Sequence, residues 1–171
     1  MEILFQNQAN WPIGITSTNK REVALSGTND GSTSLGFWVA SNATNLYINT
    51  SVTSWSGSGA TWSNNDMVGL AVDAVNQTIA IYKNGSSIGS YDYSALGWKQ
   101  TFFAAGNYIN GNTYLANFGQ NPTHSGTVTA GSATDGNGIG LFKNAPPSGY
   151  LALCTANLPN PAIALPSAQF N

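Results

Sequence analysis

A chain of 171 residues is long enough for one domain with a sizeable core, plus a tail. Only 7% of its residues are charged while 42% are hydrophobic, which excludes disorder of the usual kind, since that needs low hydrophobicity and high charge. A formal net charge of −2, with the five basic residues Lys20, Arg21, Lys83, Lys99 and Lys143 scattered, gives no electrostatic reason to bind nucleic acid or anionic lipid.

Gly, Ser, Thr and Asn take the place of the missing charges, a composition suited to an all-β protein with a neutral hydroxyl- and amide-rich surface. Cys154 is the single cysteine, so no internal disulfide is available. No apolar run approaches the roughly 20 residues of a membrane span, so membrane insertion is not expected. The N-terminus has neither the basic nor the apolar region of a signal peptide.

Met1-Glu2-Ile3-Leu4-Phe5-Gln6 opens in mid-strand, and residues 11–16, W-P-I-G-I-T, form the next predicted strand, with Trp11 as core. Residues 17–34 hold turn formers around a short segment at 23–25. Strands are predicted at 35–40 and 45–48, joined by a turn over 41–44. Residues 50–59 form a Ser/Gly-rich loop carrying Trp55. An aromatic there has few core partners, so Trp55 is a candidate binding residue. Trp62, just before Asn64-Asn65-Asp66, reads as core.

The chain is organised around residues 64–122. An apolar run at 67–72 closes on Asp73, and Val75-Asn76-Gln77 is a tight connection. Thr78, Ala80 and Tyr82 then alternate with Ile79, Ile81 and Lys83, the period of a half-buried strand. Asn84-Gly85 is the dipeptide that most readily takes two positive φ angles, so it marks a hairpin whose return strand is 88–91. The three strands form an antiparallel meander. The connection over 91–98 holds Tyr93 and Trp98, candidate contact residues of the adaptable aromatic kind or a lid over the sandwich. Strands at 101–105 and 114–118 flank a turn over 107–112.

Three motifs, D-M-V-G-L-A-V-D, then I-A-I-Y-K-N-G-S-S-I-G, then Y-L-A-N-F-G-Q, stand in this order and spacing between Asp66 and Gln120. Together they resemble the central signature of the SPRY family, and W-P-I-G-I-T resembles an earlier strand of it. The resemblance implies an antiparallel SPRY-like (concanavalin-like) β-sandwich over residues 1–122 that binds proteins or peptides through loops and is not catalytic. It implies turn-fixing roles for Asp66 and Asp73 and an apolar plug at Trp62. It also implies that strands preceding Met1-Glu2-Ile3 are missing, so Met1 is expected to be an internal methionine of a longer protein. Another chain or an unseen segment is then expected to cover the exposed edge.

After Pro122 the composition changes. Residues 123–140 are almost entirely Gly, Ser, Thr, Ala and Asn, with His124 and Asp135 the only titratable groups, and read as a linker. Residues 141–171 read as an extended Pro-rich arm, because Pro146, Pro147, Pro159, Pro161 and Pro166 disfavour a packed helix. Tyr150, Leu151, Leu153 and Leu158 need cover, on the sandwich or on a neighbouring subunit, which makes them the candidate assembly residues. F-K-N-A-P-P-S-G-Y-L-A-L-C-T-A-N-L-P-N-P-A-I resembles a segment that follows SPRY-like domains in bacteriophage and metagenomic virus proteins. That resemblance implies a virion component, such as a capsid decoration, tail-fibre or spike, that packs against other subunits or copies of itself. The alternative is a lectin-like or receptor-binding module recognising a host glycan or protein through Trp55, Tyr93 and Trp98.

Catalytic chemistry has little to stand on. The acids are Glu2, Glu22, Asp30, Asp66, Asp73, Asp92 and Asp135, without the E-x-D-x-E cluster of a sandwich glucanase. His124 and Cys154 are far apart in sequence, and zinc would need three or four ligands of their kind. Carboxylates and amides around Asp30 or Asp92 leave a calcium site open, although no loop has the D-x-D-x-D-G spacing. No cofactor, metal or catalytic residue is expected.

Overall fold

Ile13 and Ile15, Leu35, Phe37 and Val39, and Ile79 and Ile81 recur at every second position, so each run carries one apolar face. In the computed structural model of the chain these faces meet in one core. The structure describes residues 1–6, 10–17, 34–40, 43–48, 51–106 and 113–159.

Among the described residues ten strands form two five-stranded antiparallel sheets, a β-sandwich. They are β1 (Glu2–Phe5), β2 (Asn10–Thr16), β3 (Ser34–Ala40), β4 (Thr44–Ile48), β5 (Ser51–Thr53), β6 (Met67–Asp73), β7 (Thr78–Lys83), β8 (Ser86–Asp92), β9 (Phe102–Ala105) and β10 (Tyr114–Asn117). The first sheet has the order β10-β1-β6-β7-β8 and the second β5-β4-β3-β2-β9. Ile3, Val68, Leu70, Ile79 and Ile81 of one sheet pack against Ile13, Ile15, Leu35, Phe37, Val39 and Leu46 of the other.

The central meander forms as its pattern predicts. Asp73 Oδ1 accepts from the N–H groups of Val75 and Asn76, both at 2.9 Å, which closes the β6–β7 connection. Asn84 and Gly85 take φ of 49° and 84° in the β7–β8 turn. Asn84 Oδ1 also accepts from Met67 N–H at 2.8 Å, tying that hairpin to β6. Asp66 fixes its turn by accepting from Ser63 N–H at 2.7 Å and pairing with Lys83 at 2.9 Å. Trp62 is a core plug whose Nε1 donates to Thr44 Oγ1 at 2.6 Å. The short β5 was not expected, because its Ser-Val-Thr sequence is too short to show a period. The segment at 23–25, the turn over 107–112 and the side chain of Trp11 lie outside the described residues.

The exposed edge expected beside Glu2-Ile3 is not there. β1 sits inside its sheet, with Glu2 opposite Asn117 of β10 on one side and opposite Gly69 of β6 on the other. A strand from the end of the sandwich sequence therefore satisfies the backbone groups of β1.

A second correction concerns residues 123–140. Far from being an open linker, they are turns packed on the outer face of the first sheet. By register, Glu2, Leu4, Met67 and Asn117 point away from the core, yet all four are buried. Residues 119–152 cover them. Leu141 N–H donates to Gly119 O at 2.8 Å, Phe142 bridges antiparallel to Ala133, and Phe142 itself is buried. The small residues that resemble a linker also permit tight turns, and two buried acids hold those turns in place.

Candidate functional site

Gly69 and Ala71 of β6 face outward beside Ala80 and Tyr82 of β7. Three of these four side chains are absent or a single methyl, so they leave a shallow floor on the outer face of the sheet. Tyr82, Phe102, Phe103, Phe118 and residues 144–154 help to bound a groove of about 830 Å³ over this floor. The Phe103 and Phe118 rings meet edge to face, with centroids 6.0 Å apart. Phe102, Leu151, Leu153 and Leu158 line the groove and remain exposed, the last two at 63% each. Large side chains exposed together in this way mark an interaction surface more than chance scatter does.

Two carboxylates hold the wall of the groove. Glu2 Oε1 accepts from Asn144 N–H at 2.7 Å and from Asn144 Nδ2 at 3.2 Å, while Oε2 accepts from Lys143 N–H at 2.9 Å and Asn117 Nδ2 at 3.3 Å. Asp135 organises the next stretch. Its Oδ1 accepts from the N–H groups of Asn137 and Ile139 at 2.9 Å each, and its Oδ2 from Ala152 N–H at 2.8 Å and Asn157 Nδ2 at 2.7 Å. Burial pushes the Asp135 carboxyl up, but the amides of Ala152, Ile139, Asn157 and Asn137 outweigh it and hold it at about 2. A carboxylate with its oxygens saturated by amides is a structural anchor, not a free acid.

Tyr150 is half-buried, Leu151, Leu153 and Leu158 are exposed, and all four line the groove. Of the two readings of the 91–98 connection, contact residues or a lid, the lid is the one that forms. Tyr93 is fully buried and Trp98 nearly so, with ring centroids 5.6 Å apart inside the core. Their loop folds back over the sandwich, where the rings fill core space between the sheets. Trp55 is half-buried against Phe37, centroid to centroid 4.8 Å, and its Nε1 is buried without a hydrogen-bond partner among the described residues. None of the three lines the groove.

Sequence reading missed Glu2, Asp135 and Phe102. The two acids left a signal, since a lone carboxylate is conspicuous in so uncharged a chain and Asp135-Gly136-Asn137-Gly138 is turn chemistry. Phe102 left none, because its exposure depends on how β9 meets the C-terminal segment.

Of the acids lining the groove, Glu2 is held by the donors above and Asp73 by its turn. Cys154, a half-buried free thiol, also lines it. Among the described residues no group of three or more His, Cys, Asp or Glu side chains could hold a metal ion. Asp30 lies outside the described residues, and Asp92 Oδ1 accepts from Ser94 N–H at 2.8 Å. Among the described residues no helix is long and apolar enough to cross a membrane. What the groove offers is burial of apolar surface. No protein-family model matches this chain, and no curated protein matches it.

Proposed function

We propose that this chain is a non-enzymatic structural module of a bacteriophage or other virus particle, SPRY-like in its sandwich, that works by packing against neighbouring subunits or copies of itself. The observation that carries this reading is the convergence of Tyr150, Leu151, Leu153 and Leu158 on one apolar groove, with three of them exposed. Burying such side chains at a subunit contact gains about 1.5–3 kcal/mol each, which favours association over solvent exposure. The three SPRY-like motifs and the phage-like C-terminal segment supply the particle context, and the sparsely charged surface suits close packing.

The adhesion reading loses its platform. Two of its three aromatic residues, Tyr93 and Trp98, are core, and the third is half-buried.

Sedimentation of the 171-residue chain over a range of concentrations tests the proposal. Species heavier than the 17.8 kDa chain are expected, and Leu151→Ser combined with Leu153→Ser should reduce them to monomer at unchanged melting temperature. A monomer at every concentration would overturn it.

A further inference from the structure

β9 is the outer strand of the second sheet, and its sequence is F-F-A-A. Its ladder with β2 fixes which backbone groups point outward. Gly106 N–H donates to Pro12 O at 2.8 Å, and bonded positions alternate along an antiparallel pair. Phe102 and Ala104, opposite Thr16 and Gly14, therefore turn their N–H and C=O groups towards β2. Phe103 and Ala105 turn theirs to the free edge, where nothing among the described residues bonds them. Side chains alternate as well. Phe103 lies opposite Ile15 and packs on the core, so Phe102 and Ala104 stand on the outer face.

Natural proteins blunt a sheet edge with charge, proline, a bulge or a cover. β8, an edge of the first sheet, has a cover. Ser90 N–H donates to Ser56 Oγ, and Ser56 Oγ donates to Ser90 O, each at 3.2 Å. Among the described residues β9 has none of these devices. Residues 101–105 carry no charge and no proline, and their pairing with β2 is regular. Phe102 and Ala105 are exposed.

We propose that β9 pairs antiparallel with β9 of a second copy about a twofold axis, joining two five-stranded sheets into one of ten strands. The inference rests on the assembly reading above and names the contact that makes it. The outward groups set the register. Phe103 of each copy faces Ala105 of the other, and this pairing uses every outward N–H and C=O of the strand. The sequence F-F-A-A-G is then its own complement. Phe102 meets the other copy's Gly106, Phe103 meets Ala105, and the two Ala104 methyl groups meet on the axis. A large side chain always stands beside a small one or none, and no charge is brought together. Phe102 lines the groove with Leu151, Leu153 and Leu158, so the pairing brings the neighbour to the rim that they form. Such a contact is isologous and closes at two copies.

Cysteine variants of the 171-residue chain test it in a Cys154→Ser background. Ala104→Cys should give a covalent dimer of twice 17.8 kDa under mild oxidation. Facing positions of this kind have Cα atoms about 4.5 Å apart, within disulfide reach. Phe102→Cys should stay single-chain, because its two copies lie about 13 Å apart along the strands. Equal cross-linking by both variants would overturn the register. Ala105→Pro removes an outward donor and no bond to β2, a place where an edge strand accepts proline. It should be monomeric by light scattering, with the parent's circular dichroism spectrum; if it fails to fold, the cysteine variants decide. If the parent chain associates but Ala104→Cys does not cross-link, another surface makes the contact; this inference falls and the assembly reading survives. If the parent is monomeric at every concentration and Ala104→Cys does not cross-link, both fall.

Discussion

Asn144 and Glu2 lie 142 positions apart, and both the backbone N–H and the side-chain amide of Asn144 donate to Oε1 of Glu2, at 2.7 and 3.2 Å. The other carboxylate oxygen takes Lys143 N–H and Asn117 Nδ2. One side chain on an interior strand thus fastens the C-terminal layer to the outer face of the sheet.

Glu2→Ala should therefore loosen that layer. It leaves buried N–H donors unpaired, at about 1–3 kcal/mol for each that water cannot reach. A loss of about 3 kcal/mol in urea unfolding is expected, with about half of it restored in Glu2→Gln, which keeps one acceptor oxygen. Equal stability of Glu2→Ala and the parent would mean that the layer is held elsewhere.

His124 should make stability fall on mild acidification. It is fully buried, and neither ring nitrogen has a hydrogen-bond partner among the described residues. Burial lowers its pKa from 6.5, with the Glu2 carboxylate opposing the shift. The unfolded chain then takes up a proton that the folded chain refuses, so stability is complete above about pH 6.5 and declines as pH drops below it. The urea midpoint should be lower at pH 5.5 than at pH 7.5, and His124→Leu should flatten that difference. A midpoint independent of pH in the parent chain would contradict it.

Asp135 should act in a separate, more acidic window. Its folded pKa of about 2 lies below the ordinary 3.8, so its contribution is present above about pH 4 and lost as pH falls towards 2. Asp135→Asn should shrink the step below pH 4 and leave the one near pH 6 in place. Asp66, Asp73 and Asp92 also contribute to the lower step, because their hydrogen bonds hold them below the ordinary carboxylate range. Thermal melts at closely spaced pH values would separate the two steps.

Gly14→Ala should be poorly tolerated. A Cβ at this position would sit 2.0 Å from the backbone oxygen of Leu35 on the neighbouring strand, and backbone cannot move aside as a side chain tip can. A loss of about 2–3 kcal/mol or failure to fold is expected. A melting temperature equal to the parent's would show that β2 and β3 can separate freely here.

Tyr93→Ala and Trp98→Ala distinguish core from contact residues. As core, each should cost about 3–5 kcal/mol of stability. As contact residues they would leave stability unchanged and abolish ligand binding. Chemical denaturation of the two variants decides between these outcomes.

The strand pattern was legible wherever the physics is local. Thr78–Lys83 reads directly from its two-residue period, and Asn84-Gly85 from the positive φ angles that only such residues accept easily. The turn-fixing roles of Asp66 and Asp73 came from the family resemblance, and the partners that the structure gives them lie close by in sequence or in the same hairpin. Tyr93 and Trp98 stayed open between contact residues and a lid, because loop composition does not say whether an aromatic faces water or folds inward.

Sequence by itself determined the all-β class, most of the strands, the meander and its turns, since each depends on side-chain alternation and backbone preference within a few residues. Only tertiary structure decided that β1 lies inside its sheet, that residues 123–140 form a cover and that Leu151, Leu153 and Leu158 share a groove with Phe102. Those outcomes depend on pairings across more than a hundred residues, such as Glu2 with Asn117 and Asn144. A long-range pairing is selected by the hydrogen bonds and buried area it satisfies in the assembled fold, and no local pattern records them.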